Sequence, residues 1–497
     1  MTNHHNRKND CMIFSTIEQL VPQNHLVRKL EKTIDWSFIY AIVEDLYSDI
    51  GRPSIDPVVL FKMIFINYLF GINSMRKTCE EIKVNLAYRW FLGISIDDEV
   101  PNYSTWSQNY IRRYNNSEVF DEIFKQIIRQ AIKYNFVDVE SIYGDSTHQK
   151  ASANKRKAID IEVAIAKKYY EEDLKAEINN DREAHGKKRL KEIITSEYNY
   201  DEETGEIKED KIAKHIKQST TDPESGLYHK GEKEKCFAYS HQTFCDKNGF
   251  VLASKTISGN THDSVSFKEA YNEVIKEYEG IKNVGLDSGY KTAVIARDII
   301  ESGKKPYFPY KRPMTKKRFF KKYEYVYDEA FDCYLCPNNK ILSYTTTNRE
   351  GRKEYKSNPK DCEHCPLLTK CTLSKNHIKV VQRHVWEEYL EEAEDIRHTV
   401  GYHDIYDKRK ETIERVFADS KESHGLRYTR LRGLKKNQHQ VLIIFASHNL
   451  KKMANWSHNK VDIYYKTIQL MCSSITISLF SKKKLCLRSK STTLSTV

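Results

Sequence analysis

The stretch VGLDSGYK, residues 284–291, ends a short apolar run on a carboxylate and follows it at once with Ser-Gly-Tyr. An apolar run of this length, closed by turn residues, reads as a buried strand. Asp and Gly are ordinary turn formers at such a point, so Asp287 alone says nothing about chemistry. Its meaning depends on partners elsewhere in the chain.

Around it, strand and helix patterns alternate. SIYGDSTHQ (141–149) reads as a short strand ending in Asp145, and KCFAYSHQTFCDKNGFVLASKTIS (235–258) as a hairpin turning at DKNG. THDSVSFKEAYNEVIKEYE (261–279) reads as a helix capped by Asp263. TAVIARDIIES (292–302) is a second helix, PYFPY (306–310) a short edge-like strand, and DKRKETIERVFADSKESHG (407–425) a helix closed by Gly425. The order predicts an α/β domain, a mixed sheet flanked by helices.

The chain is longer than one hydrophobic core supports, 497 residues, so two or three structural units are expected. Residues 1–135 form the first, mostly helical, with a basic helix suited to contacting DNA. Within it DPVVLFKMIFINYLFG (56–71) has Asp56 as an N-cap, Pro57 at the first helical position and apolar residues on most faces, which predicts a buried helix. MRKTCEEIKVNLAYRWFLG (75–93) continues as helix, and PNYSTWSQNYIRRY (101–114) offers Ser104 or Thr105 as a cap. The α/β domain then spans 136–456. It carries a charged insertion at 155–230, expected to be helical and solvated, and a basic, Cys-rich one at 311–395. A basic tail, 457–497, is expected to be poorly ordered.

A formal charge of +12 suits a polyanionic partner, and KRPMTKKRFFKK (311–322) interleaves Lys and Arg with Phe as a nucleic-acid groove does. The N-terminus lacks a signal-peptide pattern and no apolar stretch is long enough for a bilayer, which predicts a cytoplasmic protein with no membrane partner.

Asp145 and Asp287 both end strands, and Glu414 lies in the last helix of the order. Strand ends at one sheet edge gather their carboxylates, and a helix across that edge adds a third. Three such acids repel unless a divalent cation neutralises them; Mg²⁺ accepts carboxylates together with phosphate oxygens. On the helix, Lys410 and Lys421 share a side with Glu414, four residues before and seven after it.

The motifs GDSTHQKASANK, GNTHDS, GLDSGYKT and RKETIERVFADSKESHGLRYTRLRG resemble those of bacterial insertion-sequence DDE transposases, over residues from about 10 to 455. The resemblance implies an RNase H-like catalytic core, a helical N-terminal transposase domain, and Asp145, Asp287 and Glu414 as the catalytic, Mg²⁺- or Mn²⁺-binding triad. It further implies cleavage at element ends, joining of the 3′ hydroxyl to target DNA by two-metal chemistry, and a synaptic homodimer. Some related transposases carry Tyr, two residues, Arg, three residues, Glu, six residues, Lys. Here Asp407 and Lys410 occupy the Tyr and Arg registers, with Tyr406 and Arg409 displaced by one. Lys421, Lys410, Arg409, Arg427, Arg430, Arg432 and Lys435 are the candidate DNA-binding residues, placed to contact phosphate.

Cys333-x2-Cys336 and Cys362-x2-Cys365, with Cys371 close behind, form two hooks that suit a structural Zn²⁺. His148 and His262 read as hydrogen-bonded structural residues. Two alternatives remain: a zinc-containing DNA-binding regulator or inactive transposase remnant, and a metal-dependent endonuclease without strand transfer.

Overall fold

The computed structural model describes residues 14–457 except 49, 52–53, 73, 165–168, 191–212, 231–233, 262 and 313–314. His262 and the expected tail from 458 on therefore lie outside the described residues. The chain divides into two compact units. One comprises the described residues up to Val137 with Ala418–Leu426 and those from His439 on; the other comprises Asp138–Phe417 and Arg427–Gln438.

The first unit is helical. Its central helix, Pro57–Leu69, begins as the sequence predicts: Asp56 Oδ1 accepts from the Val58 amide at 2.7 Å. Nine of its thirteen residues are buried, so it is surrounded on all sides. One of them is Lys62, whose ammonium donates to Glu31 Oε2 at 2.8 Å and to the Phe91 carbonyl at 3.1 Å, as a buried cation must. The expected continuous helix at 75–93 is instead two, Met75–Val84 and Leu86–Leu92. Asn85 leaves helical geometry (φ −101°, ψ 107°) and its side chain accepts from the Ala87 and Tyr88 amides, capping a new start. The next cap is Asn102 and not Ser104 or Thr105, because the Asn102 side-chain Oδ1 already takes the Ser104 amide at 3.0 Å. The last helix, residues 434–457, is buried throughout 441–450, as HQVLIIFASHNL suggests; within this unit His439 stacks on Phe120 at 4.4 Å between ring centres.

The second unit is built on a mixed sheet. Strand Ser141–Lys150 pairs antiparallel with Glu234–Asp246, which pairs antiparallel with both Val251–Ser258 and Gly226–Lys230. On its other side Ser141–Lys150 runs parallel to Asn283–Leu286, itself parallel to Lys305–Tyr307. Parallel neighbours need crossover connections, which helices Asp263–Glu277 and Ala293–Glu301 provide. The first of these helices begins at Asp263. Phe267 and Tyr271 of that helix pack against Phe244 of the sheet, with ring centres 5.9 and 6.2 Å apart.

Both insertions carry more structure than composition suggested. The 155–230 segment contains paired strands Ala158–Ala164 and Ala213–Ser219 besides the helix Glu171–Ala184. That helix is not simply solvated: Leu174 and Ile178, one turn apart, join Ala293, Val294 and Trp386 in a buried cluster. The 311–395 segment forms a five-stranded antiparallel sheet, from Val326–Asp328 to Val380–His384, around Tyr325, Tyr334, Leu342, Tyr355 and Val381.

Candidate active site

Each strand acid follows a glycine closely, and packing explains both glycines. A Cβ on Gly144 would lie 2.5 Å from the Phe244 ring and 2.7 Å from Leu286, and one on Gly285 would lie 2.7 Å from the Tyr143 ring. The two strands can thus run side by side in register, Gly144 opposite Leu286. The next residues along them are Asp145 and Asp287. Strand Ser141–Lys150 does not end at Asp145, as the sequence reading had it; only its parallel pairing ends there, while the antiparallel pairing continues to Lys150.

Asp287 opens the short turn Ser288–Tyr290, yet its carboxylate makes no capping hydrogen bond to that turn; only its backbone carbonyl serves it, accepting from Tyr290 N at 3.0 Å. The side chain instead faces Arg409, 3.9 Å from Nη1. Arg409 Nη1 also donates to Glu414 Oε1 at 3.2 Å, and Nη2 donates to Asp145 Oδ2. Asp145 Oδ1 accepts from the Ser146 amide at 2.8 Å. All three predicted acids therefore meet one guanidinium, which is itself buried, while Asp287 and Glu414 are half-exposed.

This arrangement corrects the helical reading of 407–425. A continuous helix would set Lys410 beside Glu414 and turn Arg409 away by about 100°. The chain is broken at Thr412 (φ −108°, ψ −91°), between Lys408–Glu411 and Ile413–Ser423, and the Thr412 hydroxyl donates to the Lys408 carbonyl at 2.8 Å. One residue out of helical phase absorbs the extra position in the Tyr-Arg-Glu spacing. Arg409 takes the inward place and Lys410 is exposed. Arg409 is engaged with carboxylates, so it is not free for the phosphate contact its charge suggested. Tyr406 stays half-buried, its phenol pushed up by burial, and the preceding helix is tied to the sheet through Tyr143 Oη donating to Ile405 O at 2.9 Å.

Of the other cations, Arg427, Arg430, Arg432, Lys435 and Lys436 are exposed. The loop bearing the arginines runs along the far end of the Asp145 strand: Lys150 N donates to Arg427 O at 3.1 Å and Thr429 N to Lys150 O at 2.9 Å. Arg432 Nε donates to Ser152 O at 3.2 Å. Lys421 belongs to the other unit. His148 stacks on Tyr228, ring centres 3.7 Å apart.

The cysteines divide unevenly. Cys336, Cys362, Cys365 and Cys371 line one cavity of about 20 Å³. The Asn338 and Lys340 amides each donate to Cys336 Sγ at 3.4 Å, and Asn338 Nδ2 to Cys365 Sγ at 3.6 Å. Cys333 does not line it; it is buried in strand Cys333–Leu335, where burial and the adjoining Asp328 and Asp332 push its thiol up. Among the described residues no three cysteine sulfurs lie within 4.8 Å of one another. The side chains that do gather at such distances are Asp419, His424 and His448, a trio the sequence reading missed; a His-rich, Asp-bearing pair of helical segments, ADSKESHG and ASHNL, was the available signal.

Comparison with known proteins bears on the class. A transposase domain family (DUF772) matches residues 15–112, and a transposase DDE domain family matches residues 335–454, a span that includes Glu414 and begins after Asp145 and Asp287. Both matched families are transposase families, which supports reading the chain as a DDE transposase. No curated protein matches it. A solved structure described as a piggyBac transposase synaptic complex with hairpin DNA is similar at 10% identity over 86% of this chain and 76% of that one; at a TM-score of 0.27 the likeness defines neither fold nor site.

No helix among the described residues is long and apolar enough to cross a membrane.

Proposed function

We propose that the chain is an insertion-sequence transposase that cuts phosphodiester bonds at its element's ends and joins the freed 3′ hydroxyl to target DNA. The observation that carries this reading is the meeting of Asp145, Asp287 and Glu414 on Arg409. Acids 142 and 127 residues apart in sequence (287 − 145 and 414 − 287) have no local reason to converge. The strand order, four strands in antiparallel pairings with two more added in parallel beside the Asp145 strand, supports reading the unit as an RNase H-like catalytic domain.

The donor set fits a hard divalent cation, since every ligand is a carboxylate oxygen. Three negative charges also exceed the one positive charge of Arg409. Asp145, Asp287 and Glu414 would hold Mg²⁺ or Mn²⁺. Bound there, the metal supplies activation of the attacking oxygen and stabilisation of the leaving one. The chain's own residues do the positioning. Asp145 is oriented by the Ser146 amide and Arg409, Glu414 by Arg409, and the exposed Arg427, Arg430 and Lys435 hold the DNA backbone along the Asp145 strand. Joining two ends calls for a homodimer. Cys336, Cys362, Cys365 and Cys371 would hold a structural Zn²⁺, which donors of this type favour.

Asp287→Asn tests the reading, because it preserves shape while removing the charge. Cleavage of duplexes carrying the element's ends should collapse, with end binding and the thermal melt unchanged. Parent-like cutting by this variant would remove the three-carboxylate site from the proposal. A parent chain that binds ends but never cuts them would instead indicate a DNA-binding remnant, and one that cuts without joining, an endonuclease.

A further inference from the structure

Outside the carboxylate site, the cluster of Asp419, His424 and His448 in the helical unit combines three features. The first is geometry. Asp419 Oδ2 lies 3.0 Å from His448 Nδ1 and 3.4 Å from His424 Nε2, and the three ligand atoms all fall within 4.8 Å of one another. Two ligands of a tetrahedral ion with arms of about 2.05 Å stand about 3.3 Å apart. The carboxylate-to-imidazole spacings bracket that length.

The second is the protonation that the surroundings impose on His424. Its Nδ1 lies 2.8 Å from the Tyr68 carbonyl, an acceptor only, so Nδ1 must carry a proton. In the neutral ring Nε2 then presents a lone pair to the Asp419 carboxylate. It makes no aligned hydrogen bond, although the residue is fully buried. Without an ion, either two lone pairs face each other, which is unfavourable, or a buried imidazolium pairs with the carboxylate at 3.4 Å out of hydrogen-bond alignment. A metal ion relieves the conflict. An Nδ1–H···O=C bond behind the ligating nitrogen is also the usual outer support of a metal-bound histidine.

The third is the division of labour on Asp419. Its Oδ1 accepts from the Ser423 hydroxyl at 3.1 Å and lies 3.4 Å from Lys451 Nζ, while Oδ2 alone faces both rings. Oδ1 thus orients the group, and Oδ2 is left for coordination. His448 is nearly buried but Asp419 is about a third exposed, so the carboxylate side of the cluster reaches solvent.

We propose that Asp419 Oδ2, His424 Nε2 and His448 Nδ1 bind one transition-metal ion of the Zn²⁺ class, a mixed nitrogen and oxygen site that ties the Ala418–Leu426 segment to the final helix and to the end of Pro57–Leu69. Binding requires His448 to hold its proton on the other ring nitrogen. The site does not depend on the carboxylate or cysteine sites, and its ligand chemistry distinguishes it from both.

The test uses the full-length, metal-depleted chain with Mg²⁺ in excess to saturate oxygen-only sites, titrated with Co²⁺. Cobalt on cysteine gives a thiolate charge-transfer band; cobalt on this cluster gives only visible ligand-field absorption. The expected result is about one equivalent of tightly held Co²⁺ outside the thiolate band, displaced by Zn²⁺. In Asp419→Asn and His448→Gln that equivalent should bind at least tenfold more weakly, with any thiolate band unchanged. Absence of a non-thiolate equivalent in the parent chain would overturn the proposal, as would unchanged binding in both variants. Should His448→Gln fail to fold, the parent stoichiometry and the isosteric Asp419→Asn decide.

Discussion

Replacing Arg409 by Gln removes the one positive charge shared by the three acids, and two opposite effects follow. Without divalent metal the variant loses its tether to Asp145. Arg409 is 9% and Asp145 21% exposed, between the exposed pairs worth about 0–1 kcal/mol and buried ones whose breakage costs about 3–5 kcal/mol, so a loss of about 2 kcal/mol is expected. With metal the sign reverses. Nη1 lies 3.2–3.9 Å from Glu414 and Asp287, so the guanidinium charge stands within about 4 Å of the acids that would hold the ion. Two unit charges at about 4 Å interact by about 1 kcal/mol in water and about 4 kcal/mol at the effective dielectric of a protein surface, hence about 2–8 kcal/mol for a divalent ion. The half-exposed acids and a side chain able to swing away favour the lower end. Even about 2 kcal/mol exceeds a tenfold change in affinity. Arg409→Gln should therefore melt below the parent without metal and bind Mg²⁺ or Mn²⁺ at least tenfold more tightly, measured by calorimetric titration beside melts at rising metal concentration. Equal Mg²⁺ affinity in the two chains, or equal metal-free melts, would refute the claim that this guanidinium holds the cluster together.

Other outcomes follow from the same geometry. Cys362→Ser or Cys371→Ser should abolish the thiolate-to-cobalt band, whereas Cys333→Ser, outside the cavity, should keep it; the reverse pattern would restore the sequence-derived hook. Gly144→Ala drives a methyl into Phe244 and Leu286 and should cost about 1–3 kcal/mol in a denaturant titration while reducing cleavage, since the displaced strand carries Asp145. Arg430→Ala should weaken binding to all DNA sequences alike and lower the slope of log affinity against log salt by about 1; altered preference among ends at constant slope would mean base contact instead.

What the sequence determined by itself was local or periodic. Asp56-Pro57 before an apolar run announces a buried helix, DKNG between alternating strands announces a hairpin, and the alternation of strands and helices predicts a mixed sheet, because caps, turns and periodicities act over a few residues. Which acids would be brought together was legible only through strand order and resemblance. Tertiary structure decided the rest wherever phase or long-range pairing mattered. The backbone angles of the single residue Thr412 exchange Lys410 for Arg409 at the carboxylates, a rotation of about 100° that no residue pattern encodes. Cys333 and Cys336 look equivalent in a CxxC hook, yet strand pairing buries the first and leaves the second to line the cavity with cysteines about 30 residues away. His424 and His448 acquire their relation to Asp419 from packing between segments remote in sequence, and the proton position that makes His424 a ligand comes from a carbonyl 356 residues away.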